Sequence, residues 1–493
     1  MRTTPLQRWL AGFTLLAVVL FSAFLWLKPL LNIGGGYAAK QACSCHFLQG
    51  RELDEISEHD LNFSVLGWYG LSTRPFLNED ALTGEIAKFA EALATEGPQV
   101  VTSSLWGLVE RDAVYRPGYG CTLINANDEP APGIFDLSFI MYPPLSAVST
   151  SPNAPWRNQA DLQEAESFFL TPRGSSGDVA EQRLSGAVRA ALDYGMQAVP
   201  GGGARGIVVL QNGQLAGERY APGFDRNSRL PGWSMTKTLT GLALGAYLSQ
   251  DSSYNAVSFV EATDNLFPDL WRDKRSEITL ADLMRMNSGL EWNEGYGSIT
   301  DATVMLHEKA DFADFAARHQ LAETPGTVWN YSSGTTNILM DYLRRELGSN
   351  EALYTFLESL FTPIAPSLLI EADQSGRAVG SSYGWATTRD WARLGQFMLQ
   401  DGAWNGDTLL PPGWIDFMRE PATGSDGVYG AQTWLPGPDV PSLPADAYMM
   451  RGFQDQRVFV IPSKQLVIAR LGHGDDKVTD FEGLISRILA ALE

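Results

Sequence analysis

The sequence predicts an α+β protein, in which an antiparallel β-sheet is flanked by helices and carries a helical subdomain, preceded by an amino-terminal membrane anchor and a small extra region. Residues 207–220 are typical of two strands joined by an Asn-Gly turn, a strong hairpin signal. Residues 457–471 predict a second pair of strands, and apolar residues at helical spacing predict a final helix at 479–492. We therefore expect the two ends of this unit to build one sheet, with a helical insert between them.

The amino end predicts a membrane-spanning segment. Residues 9–27 are a charge-free, mostly apolar run, preceded by Arg2 and Arg8 and followed by Lys28. This run is long enough to cross a bilayer and longer than the apolar core of most secretory signals. We expect residues 1–30 to be an uncleaved anchor in the inner membrane, with the remainder exported to the periplasmic or extracellular side. Cleavage near residues 36–38 is the alternative.

Residues 31–177 form the extra region, and the sequence predicts no role for it. It ends in a Gly/Ser/Pro-rich stretch at 171–177 that is typical of a linker, after which a helix predicted at 179–194 opens the main unit, residues 178–493. Either Cys43 or Cys45 is expected to pair with Cys121 in an oxidising compartment, which leaves one thiol over. A metal site is not expected, because no second ligand cluster accompanies Cys45 and His46.

Composition limits the partners. The chain has 493 residues, of which 44% are hydrophobic, so it can bury a large core. It carries 57 acidic and 36 basic residues, a net charge of −21, which disfavours binding to nucleic acid. The oligomeric state does not follow from these numbers.

Ser234-Met235-Thr236-Lys237 lies between the predicted hairpin and a helix, residues 238–248, that is apolar on nearly every face. Residues three apart share one helix face, so Lys237 is directed back toward Ser234 at the first turn. There, free N–H groups and the helix dipole favour developing negative charge. A serine nucleophile needs a base and oxyanion donors, and this arrangement offers both. On its own, Ser-x-x-Lys would more often be a helix cap beside a solvated lysine.

A second segment with candidate catalytic residues follows at residues 325–334. A Pro-Gly turn precedes a β-prone run that ends in Tyr331, Ser332 and Ser333, just before a helix predicted at 336–347. A phenol beside a lysine can share proton transfer, so we expect Tyr331 to act together with Lys237. In isolation, Tyr-Ser-Ser would be an ordinary loop with a half-buried aromatic residue.

These two segments belong to an ordered series of five, at residues 232–237, 278–290, 325–334, 380–390 and 456–462. Together they resemble the β-lactamase-related serine hydrolases, which include class C β-lactamases, penicillin-binding D-Ala-D-Ala peptidases, and related esterases and amide hydrolases. The resemblance covers roughly residues 180–493, about three-fifths of the chain. Around residues 452–456 it is most similar to the amide-hydrolysing branch typified by 6-aminohexanoate-dimer hydrolase.

The resemblance implies a serine β-lactamase-like fold and a Ser-Lys-Tyr acyl-transfer site. Ser234 would be acylated, Lys237 and Tyr331 would move protons, and water would release the acid. The backbone N–H of Ser234 would be one oxyanion donor, and the other would come from the edge strand near Gly452 and Phe453.

Two departures from the family pattern concern substrate binding. Ser333 stands where the family often has the asparagine of Tyr-x-Asn, and no Lys-Thr-Gly or Lys-Ser-Gly follows Tyr331. The nearest candidate is Arg451-Gly452-Phe453, in which Arg451 would hold a substrate carboxylate through a bidentate guanidinium. A surface arginine flanking a strand is the alternative explanation.

The sequence therefore predicts a serine hydrolase that cleaves an amide or ester bond of a small-molecule or peptide-like substrate, without metal or organic cofactor. A β-lactamase or D-Ala-D-Ala peptidase is the first alternative, which the missing Lys-Thr-Gly anchor disfavours. The second is a penicillin-binding-like module that keeps the fold and has lost turnover.

Overall fold

The computed structural model describes residues 5–61, 73–77, 99–125 except 106, 108 and 117, 186–197, 202–250, 255–261, 266–475 and 477–492. The predicted linker at 171–177 and the first part of the helix predicted at 179–194 lie outside the described residues.

In these residues, the amino-terminal part contains two helices and one antiparallel sheet. In chain order they are α1 (Pro5–Gln49), α2 (Leu53–His59), β1 (Thr73–Leu77), β2 (Gln99–Leu105), β3 (Val109–Arg116) and β4 (Gly120–Leu123). The strands pair in the order β1-β2-β3-β4, and α1 packs against the last three of them.

The carboxy-terminal part mixes strands and helices. It opens with α3 (Gly186–Gly195), β5 (Gly202–Gln211), β6 (Gln214–Tyr220) and β7 (Arg229–Pro231). A helical stretch follows, with α4 (Met235–Leu248), α5 (Ala256–Val260), α6 (Leu280–Met284), α7 (Asp301–Glu308), α8 (Phe312–Ala317), α9 (Ser333–Leu347) and α10 (Asn350–Phe361). The last elements are β8 (Leu369–Ile370), β9 (Gly384–Thr387), α11 (Thr388–Leu399), β10 (Ala403–Trp404), β11 (Asp407–Thr408), α12 (Trp414–Arg419), β12 (Tyr448–Gly452), β13 (Gln456–Ile461), β14 (Leu466–Gly474) and α13 (Phe481–Leu492).

The main sheet is antiparallel, with the strand order β12-β13-β14-β5-β6. Its strands come from both ends of the carboxy-terminal part, which confirms the predicted α+β fold class. The β5–β6 turn places Asn212 and Gly213 at φ values of 53° and 71°, the left-handed conformation that a two-residue hairpin turn of this type requires. Helices α3 and α13 cover one face of the sheet, and α11 covers the other.

Helix α4 lies in the centre of the larger core, and 13 of its 14 residues are buried. Because an apolar helix without a polar face can be stable only inside a core, its composition determines this position. The small sheet β7-β9-β8 lies at its amino end, where Gly232 N donates to Gly384 O. These contacts fix the segment that enters α4.

Helix α1 passes through two environments. Apart from the partly buried Phe24, the apolar side chains described in residues 9–27 are exposed, whereas most residues from Leu31 to Cys45 are buried against the rest of the protein. Residues 12–49 are long and apolar enough to cross a membrane, with a mean hydropathy of 2.0 in the most apolar window. The helix thus continues well beyond the anchor predicted at residues 1–30, although the use of its exposed part as an anchor or signal stays a prediction.

Covalent and polar contacts hold the buried half of α1. Cys43 forms a disulfide with Cys121 of β4, and Cys45 is a free, buried thiol. Lys40 Nζ lies 2.5 Å from Glu371 Oε2, and both side chains are buried. The Glu371 carboxylate also accepts hydrogen bonds from Ser44 Oγ and Cys121 N. The amino-terminal helix is therefore tied to the carboxy-terminal part.

Candidate active site

Ser234 is the residue before α4, and its position depends on an unusual backbone conformation at Trp233. Trp233 has a φ of 48°, in the left-handed region that bulky side chains rarely adopt. Thr236 Oγ1 donates to Trp233 O at 2.7 Å, and Gly384 N donates to the same hydroxyl oxygen at 2.9 Å. The sharp turn thus delivers a half-buried Ser234 hydroxyl to the start of the helix.

Lys237 lies one helical turn beyond Ser234 and is 1% exposed. Its Nζ donates to Ser234 Oγ at 3.0 Å, to Ser333 Oγ at 2.9 Å and to Ser381 O at 3.1 Å. The three oxygens surround the amine nitrogen at hydrogen-bond distance. The predicted amine-to-hydroxyl contact is therefore present in the structure, together with two acceptors from distant parts of the chain.

Glu294 is a site residue that the sequence interpretation missed. Its carboxylate accepts hydrogen bonds from Ser333 N at 2.8 Å and from Ser333 Oγ, and one of its oxygens lies 3.9 Å from Lys237 Nζ. It also accepts from Trp292 Nε1 and Tyr296 OH, both at 2.6 Å. Ser333, which is fully buried, therefore stands between Lys237 and a carboxylate.

Loss of solvation where the phenol packs against the site, reinforced by the Glu294 charge, raises the pKa of Tyr296 above its ordinary value, although part of the side chain is exposed. The Tyr296 phenol consequently remains a donor to Glu294 at neutral pH. A weak signal in the sequence was available, because Glu294 stands between Trp292 and Tyr296 directly after the matched segment 278–290. Acids that alternate with aromatic residues in a loop can mark a polar wall of a cleft.

Tyr331 meets Lys237 through its ring. Lys237 Nζ lies 4.8 Å from the centre of the Tyr331 ring, while the three hydrogen bonds of the lysine go to other oxygens. The ring packs in a cluster with Trp329, Tyr429 and Trp434, at centre-to-centre distances of 5.3–6.3 Å. The predicted phenol thus reaches the same crevice as the serine and the lysine, and the ring face is the part nearest the amine.

Gly452, at the end of edge strand β12, and the following Phe453 border the two residues that precede Ser234. A Cβ atom at Gly452 would lie 2.1 Å from Gly232 O, so only glycine permits this close approach. The Phe453 ring packs 5.8 Å from Trp233 and 5.3 Å from Tyr296. Among the described residues, the backbone N–H of Ser234 has no hydrogen-bond partner, as an oxyanion donor requires.

Arg451 lies on the outer side of the aromatic cluster. Its guanidinium is stacked over Trp434, with the central carbon 4.5 Å from the ring centre, and the side chain is partly exposed. No hydrogen bond from this guanidinium to another part of the described chain is present. Its planar donors are therefore available to a ligand at the edge of the cleft.

The histidines found among the described residues lie elsewhere. His307 packs against α1, and His473 lies 3.9 Å from Asp60 near α2. Burial, followed by nearby arginines, lowers the pKa of each to about 3. Both are therefore neutral structural residues at physiological pH. Within the described ranges, no group of three or more His, Cys, Asp or Glu residues is arranged to hold a metal ion.

The fold and the Ser-x-x-Lys geometry define a class of protein, the serine hydrolases of the β-lactamase fold. A comparison with protein-family models gives the same answer: the family described as Beta-lactamase matches residues 184–493. The chain therefore belongs to the β-lactamase family, in agreement with the resemblance seen in the five sequence segments.

Two relatives show where in this family the chain lies. A 6-aminohexanoate-dimer hydrolase of Paenarthrobacter ureafaciens is 24% identical over 311 residues, which cover 57% of this chain and 76% of the relative. A solved structure from Bacillus anthracis, provisionally described as a 6-aminohexanoate-dimer hydrolase, has a TM-score of 0.50 at 20% identity. The match covers 64% of this chain and 81% of that one. The first likeness agrees with the predicted branch, and the second confirms the fold.

Proposed function

We propose that the protein is a serine hydrolase that cleaves an amide or ester bond through an acyl intermediate on Ser234. The observation that carries the proposal is the 3.0 Å contact between a buried Lys237 amine and the Ser234 hydroxyl at the start of a helix. A serine with a positioned base and a free N–H group beside it has the parts that acyl transfer requires.

The reaction begins with Lys237 as a neutral amine: the Ser234 oxygen attacks the substrate carbonyl, and the hydroxyl proton passes to the lone pair of the Lys237 nitrogen. The developing oxyanion is held by the N–H of Ser234 and by the backbone near Gly452 and Phe453. Collapse of the intermediate expels the amine or alcohol, to which Lys237 returns the proton. Water then attacks the acyl carbonyl while Lys237 accepts its proton. Collapse of this second intermediate breaks the bond to Ser234 and releases the acid, and Lys237 returns the proton to the Ser234 oxygen.

Tyr331, Ser333 and Glu294 support this proton transfer in different ways. Ser333 links Lys237 to Glu294, so the charge that develops on the lysine is balanced by a carboxylate across one hydroxyl. The Tyr331 ring stabilises the same cation through its face, and its hydroxyl shares in proton transfer to the leaving group. Ser333 thus takes the place of the asparagine that is common in related proteins.

Arg451 gives the substrate site a preference for an anion. A guanidinium held flat against Trp434, with free donors, fits a carboxylate on the substrate. The amide-hydrolysing relative supports a linear amide as the substrate class, and the missing Lys-Thr-Gly disfavours a β-lactam. Ser234, Lys237 and Tyr331 therefore form the catalytic group of the proposal, while Ser333, Arg451, Gly452 and Phe453 bind substrate or oxyanion.

The disulfide supports an exported location. Disulfides persist in oxidising compartments and are rare in the cytosol, and Cys43 is joined to Cys121 in this structure. The exposed apolar stretch of α1 before Leu31 supports a membrane anchor at residues 1–30. We accordingly place residues 31–493 on the periplasmic or extracellular side of the cell membrane.

Labelling of the full-length protein by a fluorophosphonate probe tests the function. Covalent labelling is expected in the wild type and absent in Ser234→Ala, whose fold is verified by circular dichroism. A panel of p-nitrophenyl esters, linear aminohexanoate amides and nitrocefin then defines the substrate class. Turnover of the esters or linear amides supports the proposal, whereas rapid turnover of nitrocefin alone would assign a β-lactamase, and no labelling at all would indicate an inactive module.

A further inference from the structure

Helix α1 lies along the segment that leads to the nucleophile. Gln49 Nε2 donates to Arg229 O at 2.7 Å, at the start of β7. Twelve residues earlier on the helix, the Tyr37 ring stacks on the Trp233 ring, with centres 6.1 Å apart and planes within 10°. The helix therefore contacts both ends of a short stretch that finishes one residue before Ser234.

Trp233 needs such support, because its backbone is strained. A bulky residue at a φ of 48° persists only where its surroundings enforce that conformation. Thr236 N and Oγ1 both donate to Trp233 O, which holds the backbone. The indole is held by a hydrogen bond from its Nε1 to Gln454 Oε1 at 3.1 Å and by edge contacts with Phe453 at 5.8 Å and Tyr383 at 6.5 Å. Tyr37 supplies the stacked contact on the ring face.

Trp233 also adjoins both segments that carry the proposed oxyanion donors. Ser234 follows it in the chain, and the Phe453 ring rests against its edge. Movement of this indole would displace the Ser234 hydroxyl and both backbone donors together. Acyl transfer is sensitive to such movement, since a displacement of about 1 Å at reacting groups can cost about a hundredfold in rate.

Tyr37 is itself firmly held. It is three residues from Lys40, which is paired with buried Glu371, and six from Cys43, which is bonded to Cys121. His307 contacts its ring edge-on at 5.9 Å. None of the helix that carries Tyr37 lies within residues 184–493, the part of the chain that matches the family model.

We propose that Tyr37 is a positioning residue for the acyl-transfer site, and that α1 thereby forms a working part of the catalytic unit. The Tyr37 ring holds Trp233 in its strained conformation, and Trp233 sets the direction of the Ser234 hydroxyl and of the oxyanion donors. The inference rests on the proposed function, because a rate is the property that Tyr37 would influence.

The test compares Tyr37→Ala and Tyr37→Phe in the full-length, detergent-solubilised protein. Tyr37→Ala is expected to lower kcat for a p-nitrophenyl ester and the rate of fluorophosphonate labelling by at least about tenfold, with KM changed by less than about threefold. Tyr37→Phe keeps the stacked ring and is expected to restore both rates to within about twofold of the wild type. Should Tyr37→Ala fail to fold, Tyr37→Leu, which fills the volume without a planar ring, is expected to show a smaller loss of the same kind.

Tyr119→Ala is the matched control. Tyr119 is also a half-buried tyrosine of the amino-terminal part, but its ring packs 5.1 Å from Tyr354, and the described contacts do not link it to Trp233. At a temperature where every variant is folded, Tyr119→Ala is expected to leave kcat within about twofold.

Two results would overturn the inference while leaving the proposed function intact. One is a wild-type rate in folded Tyr37→Ala, and the other is an equal loss in the Tyr37→Ala and Tyr119→Ala variants, which would show general loosening. A wild type that fails to label, or a label that survives Ser234→Ala, would instead overturn the proposed function and the inference with it.

Discussion

Two buried lysines in this protein have nearly the same neighbours and different consequences. Lys40 is 4% exposed and Lys237 is 1% exposed. Lys40 contacts Ser44, the Glu371 carboxylate and the face of the Tyr383 ring, with its Nζ 4.2 Å from the ring centre. Lys237 likewise contacts serines, lies near a carboxylate and faces a tyrosine ring.

The difference lies in how the carboxylate is reached. Lys40 Nζ touches Glu371 directly at 2.5 Å, whereas Lys237 Nζ is 3.9 Å from Glu294, with the Ser333 hydroxyl bonded to both. In a direct buried pair each charge is compensated by its partner, and removal of either partner leaves the other uncompensated. The Ser333 hydroxyl connects the Lys237 amine to the Glu294 carboxylate without a direct ion pair, and the amine also contacts the Ser234 hydroxyl. The same residue types thus form a stabilising ion pair at Lys40 and the proposed proton-transfer site at Lys237.

Removal of the Lys40 amine is expected to have the largest effect on stability. Lys40→Met leaves the Glu371 charge buried without its counter-ion, a change that typically costs about 3–5 kcal/mol of the free energy of unfolding. We expect the lower end, because Ser44, Cys121 and Trp385 still donate to the carboxylate. Urea unfolding measures the loss. The Lys40→Met/Glu371→Gln double variant should recover part of it, and equal stability of the two variants would contradict a direct ion pair.

Removal of the Lys237 amine is expected to act on turnover. Lys237→Ala should lower kcat for an ester substrate by at least about a hundredfold, in line with the usual contribution of a general base. Lys237→Met, which retains most of the buried volume, provides the control for packing. Near-normal turnover in either folded variant would remove Lys237 from the mechanism.

Acid should weaken the Lys40 region in particular. Burial, then the charges of Arg111 and Lys40, lowers the pKa of His307 from its ordinary value near 6.5 to about 3. Below pH 6.5 the His307 side chain is protonated in the unfolded chain and stays neutral in the folded protein. The free energy of unfolding therefore falls as the pH drops toward 3. The slope for one such group is up to about 1.4 kcal/mol per pH unit.

His307→Gln removes this titration. Urea unfolding at pH 7.5, 5.5 and 4.5 should show a shallower decline for the variant than for the wild type. His473, whose pKa is also lowered to about 3, is present in both the wild type and the variant. Its titration contributes equally to the two declines, so the difference between them reports on His307. Identical declines in the two proteins would show that His307 titrates normally in the folded state.

The local parts of the fold followed closely from the sequence. The Asn-Gly turn predicted the β5–β6 hairpin, since few residues other than Asn and Gly adopt the positive φ values found at Asn212 and Gly213. The helix predicted at 238–248 begins three residues earlier, at Met235, because the first helical turn carries Thr236 and Lys237 and has no apolar period of its own. Helix α1 was underestimated: beyond residue 27 its sequence becomes mixed, and only packing shows that it continues to Gln49.

The site was predictable where its contacts are local. Lys237 and Ser234 are three residues apart, and helix geometry brings them together whatever surrounds the helix. Glu294, Tyr37 and the Ser381 carbonyl were missed because their contacts to this centre span between 39 and 196 residues of chain. No periodicity or turn signal encodes such pairings.

The sequence by itself determined the hairpin, the buried helix and the hydroxyl–amine pair at its start, because each depends on residues within a few positions of one another. Only the tertiary structure decided that Lys40 meets Glu371 directly while Lys237 meets Glu294 through Ser333, and that Tyr37 supports Trp233. Those contacts depend on how whole elements pack, and packing is a sum over many weak interactions that a short pattern does not contain.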